Sequence, residues 1–234
     1  MNTFTESFFK RVFKLLYGKP GAKSFKNGVR LACDYGHYRS ARSMESIDAS
    51  GAPIPWYCYP CLEYLNNHDL AGLNILEYGS GNSSLYFLNR MANVTSIEDN
   101  QDWYEKISQV SDESHSYIFE SSLPAYVKRT TEISNADIVV IDGSHRVECA
   151  DFVCSSILDG HSNPRMIIFD NSDWYPETIS KLDSELQWLR VDFCGFGPIN
   201  DYSTATSIFL NSGRKVPRLQ APLRPVNGLQ HSRG

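Results

Sequence analysis

The sequence predicts an α/β protein: a doubly wound, seven-stranded sheet, mostly parallel, closing in an antiparallel hairpin, with helices on both faces. Three observations carry this reading. Apolar strand-like runs at 73–78, 94–98, 116–120, 137–142 and 165–170 alternate with helix-like segments at 83–91, 101–110, 122–131, 146–158 and 174–187. Such alternation implies parallel strands joined by right-handed crossovers. Two more strands, near 188–194 and 205–210, are joined by a loop with Gly and Pro but no helix, and a short loop admits only an antiparallel partner. Acids end the first four strands, at Glu77, Glu98, Glu120 and Asp142, on the edge of an open α/β sheet where ligands sit.

Ahead of the sheet, Phe4, Phe8, Val12 and Leu15, with Phe9, Phe13 and Leu16 beside them, recur at helical spacing and predict an amphipathic helix near 4–17. Its apolar face can pack on the body or on a partner chain, or the basic helix can lie on a membrane surface. Residues 18–55 are rich in Gly, Ser and Lys and read as loop with at most a short helix. Within them "HYRSARS" (37–43) is a candidate lid, with Arg39 suited to a carboxylate. After Pro53 and Pro55, "WYCYPCLEYLNN" reads as a helix through Asn66. The domain organisation is therefore an extension at 1–55, a catalytic-size domain at 56–211, and a basic tail at 212–234 expected to be disordered, with Pro217, Pro222 and Pro225 in it.

Composition narrows the class. A hydrophobic content of 41% and 12% aromatic residues are enough for a sizeable core. No run approaches the roughly 18 apolar residues of a membrane span. Lys10, Arg11 and Lys14 interrupt the N-terminal apolar stretch, so no secretory signal is expected and a cytoplasmic location is. The six cysteines are scattered, and the pair Cys58 and Cys61 has no second pair at zinc spacing, which suits reduced thiols. Residues 1–30 carry net +6 and residues 212–234 net +5, leaving −16 on the body. An acidic body with basic ends argues against a nucleic-acid enzyme, though the ends suit an anionic surface.

The most informative stretch is Ile75 to Ser84, "ILEYGSGNSS". Gly79 and Gly81 allow a sharp turn and close approach of a ligand, and Ser83 or Ser84 can cap the helix that follows. A dinucleotide site wants a third glycine where this chain has Ser84, and it brings a pyrophosphate that Glu77 would repel. A carboxylate before the turn suits a cationic ligand, and S-adenosylmethionine, with its sulfonium and ammonium groups, fits. Glu98, with Asp99 beside it, lies where an acid hydrogen-bonds ribose hydroxyls. Glu120 and Ser121 end the third strand, placed to reach an adenine edge.

Together "ILEYGSGNSS", "VTSIED", "ADIVVIDGSHRVECADF" and "RMIIFDN" resemble the motifs of the class I S-adenosylmethionine-dependent methyltransferases, a Rossmann-like family, over roughly residues 56–210. The resemblance implies that Gly79, Ser80 and Gly81 cradle the methionine part, Glu98 the ribose, and Glu120 or Ser121 the adenine. Methyl transfer is an in-line displacement whose main requirement is alignment. An alcohol acceptor also gains from a base, for which His145 in "DGSHR" is the candidate, the alternative being a structural loop histidine. Arg146 can orient a substrate oxygen or pair with an acid. Asp142, Asp170 and Asn171 resemble the set with which catechol-type O-methyltransferases hold a divalent ion, and His145 falls where their basic Lys sits. Hard oxygen ligands would suit Mg²⁺, yet methyltransferases without metal also carry acids there. Trp56, Tyr57, Tyr59, Trp174 and Tyr175 are candidates for the walls of a substrate pocket. The expected function is methyl transfer to a hydroxyl of a small-molecule or sugar-like acceptor. The competitors are an NAD-type oxidoreductase on a similar sheet and a non-catalytic cofactor-binding or scaffold protein.

Overall fold

The computed structural model describes residues 3–110, 114–219 and 225–226. Seven strands, β1 (Asn74–Tyr78), β2 (Asn93–Glu98), β3 (His115–Phe119), β4 (Ile138–Ile141), β5 (Met166–Asp170), β6 (Leu189–Phe196) and β7 (Ser203–Leu210), form one sheet in the order β3-β2-β1-β4-β5-β7-β6. β1 to β5 pair in parallel, and β7 inserts antiparallel between β5 and β6. The expected sheet and its reversed hairpin are both present.

The central strands alternate between two cores, as a period of two requires. Leu76, Tyr78, Val139, Ile141, Ile167 and Phe169 face a layer built by α6 (Leu123–Val127), α7 (Thr130–Asn135), α8 (Arg146–Leu158) and α9 (Pro176–Leu186). Ile75, Val94, Ile138, Val140 and Ile168 face the other way, toward α3 (Tyr59–Asn66) and α4 (Asn82–Leu88). The short helix α5 (Gln101–Ser108) follows β2, with the Asn100 side chain accepting from the Trp103 N–H at 2.9 Å as its N-cap. The single helix expected over 122–131 is two, α6 and α7, parted at Lys128 and Arg129 where the backbone leaves helical angles.

The N-terminal extension is more helical than its composition suggests. α1 runs Thr3–Cys33 in two arms that meet at Gly18 (φ 68°, ψ −161°), and Pro20 opens the second arm, where its missing N–H costs nothing. In one straight helix Phe13 and Phe25 would stand about 18 Å apart; here their rings stack at 5.0 Å, so the arms fold back on each other. At Gly21 a Cβ would come within 2.3 Å of the Tyr17 Cβ, so a glycine is needed where the chain reverses. The candidate lid is a second helix, α2 (His37–Ser43), and Arg39 lies against Gly51 rather than in the cavities described below.

Residues 212–219, expected to begin a disordered tail, run along the body instead. The Arg218 backbone carbonyl accepts from the Asp69 N–H at 2.7 Å, and the Arg214 guanidinium pairs with Asp137 at 3.2 Å. Apart from 225–226, the rest of that tail lies outside the described residues. Among the described residues no helix is long and apolar enough to cross a membrane.

Candidate active site

Chain order reverses between β1 and β4, so their C-terminal ends part there and leave a crevice. Two glycine turns meet in it. Gly79 has φ 98°, and a Cβ on it would sit 3.0 Å from Gly143 Cα. Gly81 has φ 151°, with the Trp103 ring 3.3 Å from where a Cβ would be. Neither position tolerates a side chain, so the crevice is floored by bare backbone.

Glu77 is not on the rim. Its register partners are Ser96 on β2 and Val140 on β4, and like Ile75 it points to the face that α4 covers. The carboxylate is fully buried, and all its hydrogen bonds come from hydroxyls: Ser83 Oγ, Ser84 Oγ at 2.5 Å and Ser96 Oγ at 2.8 Å. Ser84 Oγ in turn accepts the Gly81 N–H at 3.1 Å. Burial pushes the Glu77 carboxyl up to about 7. The expectation that Glu77 meets a ligand is thus corrected: it ties the glycine turn down from below.

Glu98 does reach the crevice. One oxygen accepts Ser80 Oγ at 2.7 Å and the other the Asn100 N–H at 2.9 Å, while Ser80 Oγ also meets Tyr117 Oη at 2.6 Å. Its burial raises its pKa. With Gly79, Ser80, Asp142, Ser144 and Tyr175 it lines an open cleft of about 360 Å³. Asp99 turns toward the β4 loop, 3.2 Å from His145 Nε2 and 3.2 Å from Ser144 Oγ. Glu120 is drawn away by Arg129 at 3.6 Å and by the Ser122 N–H at 3.0 Å. Neither Glu120 nor Ser121 lines the crevice cavities.

On the β4–β5 side Arg146, the first residue of α8, folds back over the strand ends. Its guanidinium donates to Asp142 Oδ1 at 2.8 Å, Asn171 Oδ1 at 2.6 Å, the Asp170 carbonyl at 2.5 Å and the Gly143 carbonyl at 3.1 Å. Asp170 Oδ1 accepts Thr206 Oγ1 at 2.6 Å. Burial pushes Asp142 up to about 6 against the pull of Arg146. Asp170 is raised too, by burial and then by the Asp142 charge. Beneath these acids lies Tyr57, fully buried, its hydroxyl without a hydrogen-bond partner among the described residues. His145 stands outside this cluster: it faces Asp99, and its ring meets Tyr126 edge-on at 5.4 Å.

A second cavity, of about 370 Å³, adjoins the cleft and shares Ser80, Asp142 and Arg146 with it. Trp56, Trp174 and Tyr202 line it and remain about half exposed. Tyr57 and Tyr59, expected in such walls, are core residues, and Tyr175 lines the cleft instead. Trp103 was not foreseen. Its indole N–H donates to the Ser80 carbonyl at 2.7 Å, and Lys106 Nζ sits 4.7 Å above its ring. No spacing marks it in the sequence, since its role depends on where α5 starts relative to the glycine turn.

A scan against protein-family models gives no match, and a sequence search of curated proteins gives none. Solved structures do match. The O-methyltransferase TomG of Streptomyces achromogenes, involved in tomaymycin synthesis and solved in complex with SAM (S-adenosylmethionine), superposes with a TM-score of 0.51 at 13% identity, over 77% of this chain and 88% of its own. The precorrin-6y C5,15-methyltransferase of Geobacter metallireducens GS-15 gives 0.49 at 12% identity, over 65% and 87%. The fold is that of the class I methyltransferases.

An open α/β sheet takes its ligands at such a switch point, and the residues present fit SAM. The two turns offer backbone that a Cβ would obstruct, and Glu98 and Asp142 offer acceptors for hydroxyls and for positive charge. They do not fit Mg²⁺. Asp142 and Asn171 are already joined through the Arg146 guanidinium, and the Asp170 carboxylate is engaged by Thr206. Among the described residues no group of three or more His, Cys, Asp or Glu is placed to hold a metal. The expected metal set is corrected accordingly: a fixed organic cation stands among those oxygens.

Proposed function

We propose that this protein is an S-adenosylmethionine-dependent methyltransferase acting on a hydroxyl of a small, ring-bearing acceptor. The observation that carries the proposal is the shared wall: Asp142 and Ser80 border both the cleft at the glycine turns and the aromatic-lined cavity beside it. A methyl donor in one and an acceptor in the other would meet across Asp142.

When bound, the cofactor supplies an electrophilic methyl group on a sulfonium. Glu98 receives the ribose hydroxyls, with Ser80 and the Asn100 N–H holding its carboxylate in place. The bare backbone of Gly79 and Gly81 would hold the methionine part, and the Asp142 carboxylate would supply negative charge for the sulfonium. Trp56, Trp174 and Tyr202 give a ring of the acceptor flat apolar surfaces, and exposed aromatic rims suit sugars and planar rings alike. Asp142 also serves as the base. Its pKa of about 6 leaves it ionised at neutral pH yet able to take a proton. Arg146 fixes its orientation and supplies positive charge beside the developing alkoxide.

Calorimetric titration with S-adenosylhomocysteine tests the cofactor assignment. The wild type binds, and Glu98→Ala binds about 10–100-fold more weakly, as for a lost hydrogen bond to a charged group. Equal affinity in the variant removes the ribose role. Heat-shift stabilisation by NADH in place of S-adenosylhomocysteine makes the protein an oxidoreductase. Binding without methyl transfer to any hydroxyl acceptor in a broad screen leaves a cofactor-binding scaffold.

A further inference from the structure

The N-terminal hairpin carries a surface that the site does not use. On the first arm of α1, Leu15 is 87% exposed, Leu16 66%, Tyr17 65% and Phe8 56%. The second arm covers Phe13 and part of Phe9 through Phe25 and leaves the others bare. At 100° per residue, Leu15, Phe8, Val12, Leu16, Phe9, Phe13 and Tyr17 sweep an arc of about 200°. The remaining sector holds Lys10, Lys14 and Arg11 together with Ser7. A soluble body rarely leaves so many large apolar side chains in one patch without a partner.

Charge selects the partner. Residues 1–30 contain seven Lys and Arg and the single acid Glu6, on a chain whose body is strongly acidic. Apolar side chains flanked by cations match the surface of an anionic bilayer, where rings and leucines enter the acyl boundary and lysines stay among phosphates. A second copy of this chain would present its own cationic flank to the first, which disfavours self-pairing through this arm. The second arm leads into α2, and Met44, Glu45 and Ser46, which follow α2, line the aromatic cavity.

We infer that the first arm of α1 docks this protein on anionic phospholipid, holding the mouth of the aromatic cavity near the headgroups. The test is co-sedimentation of the full chain with vesicles of phosphatidylcholine alone and of phosphatidylcholine with an equal part of phosphatidylglycerol. Binding to the anionic vesicles, weakened by salt and nearly absent on phosphatidylcholine, is expected. Leu15→Glu with Leu16→Glu weakens it at least about tenfold, and replacing Lys10, Arg11 and Lys14 by Gln weakens it about a hundredfold. Leu15 and Leu16 touch solvent, so the variants keep their fold, checked by unchanged binding of S-adenosylhomocysteine or, should the wild type not bind it, by an unchanged melting temperature. No binding to anionic vesicles overturns the inference, as does binding that the Leu15 and Leu16 changes leave intact. Concentration-dependent dimerisation abolished by those changes, without vesicle binding, assigns the surface to a second copy instead.

Discussion

The two halves of the crevice neutralise buried carboxylates by opposite means. On the β1–β2 side Glu77 and Glu98 are held by neutral donors, four serine hydroxyls and backbone N–H groups. On the β4–β5 side Asp142 and the carbonyl of Asp170 are held by one guanidinium. Neutral donors lower the cost of burying a charge without cancelling it, so Glu77 stays raised to about 7 by burial. A guanidinium does not cancel it either, since Asp142 stays raised to about 6 and Asp170 is raised as well, but it adds a positive charge that chemistry can use. The first half therefore suits binding, and the second suits a reaction in which charge moves.

The largest effects should come from breaking the second half. Arg146→Ala leaves the Asp142 carboxylate without its cation, and losing one partner of a buried ion pair costs about 3–5 kcal/mol. Urea unfolding measures that loss, and a loss below about 1 kcal/mol would mean that water replaces the guanidinium. Asp142→Asn keeps a hydrogen-bond acceptor for Arg146 but removes the base, and should lower turnover by about 10²–10⁴-fold with the fold intact. In the same assay chelation by EDTA should leave the wild type unaffected, because Arg146 fills the place a metal would need.

A smaller effect sharpens the contrast from the other side. Glu77 folded binds its proton more tightly than Glu77 unfolded. Between the ordinary carboxylate range and about 7 the native state thus holds more protons, so its contribution to stability is greatest at the acid end and falls as pH rises through that window. Asp142 and Asp170 are raised as well and act with the same sign. Urea midpoints should therefore climb from about pH 8 to about pH 5.5. Glu77→Gln, which no longer titrates, should flatten this climb and match or exceed the wild type at about pH 8. A variant that retains the full slope would place the titration elsewhere.

Much of this was legible in the chain. The short apolar runs marked the central strands because β1, β4 and β5 are buried on both faces, and the helix-free loop before β7 pointed to the hairpin. The place of Glu98 at the cleft was legible because its distance from the glycine turn is set by one crossover unit. Glu77 was not, since its role depends on Ser96, a register partner one crossover away whose hydroxyl no local pattern marks. The second arm of α1 was masked by its Gly, Ser and Lys, although Ala22, Phe25 and Val29 supply a helical face once Gly18 permits the reversal. The sequence leaves Arg146 either an acid's partner or a ligand of a substrate oxygen. Its place four residues after Asp142 on the first turn of α8 makes the former natural, while its reach to Asn171 requires β5 alongside.

The smallest expected effect concerns His145, whose position in "DGSHR" suggested a base. A base must lie within hydrogen-bond reach of the proton it takes, and His145 lines neither the cleft nor the aromatic cavity. Nε2 faces Asp99 across 3.2 Å, while the ring packs on Tyr126. This pair clamps the loop after β4 to the loop after β2, and both loops border the cleft that Glu98 lines. His145→Ala should thus weaken S-adenosylhomocysteine by a few-fold at most, and change turnover at saturating cofactor by less than about threefold, against the roughly 10²–10⁴ expected of a lost base. Its pH–rate profile should keep the rise near pH 6 that Asp142 sets. Loss of that rise in His145→Ala, together with its retention in Asp142→Asn, would move the base from the cation-held half of the crevice to the loop beside it.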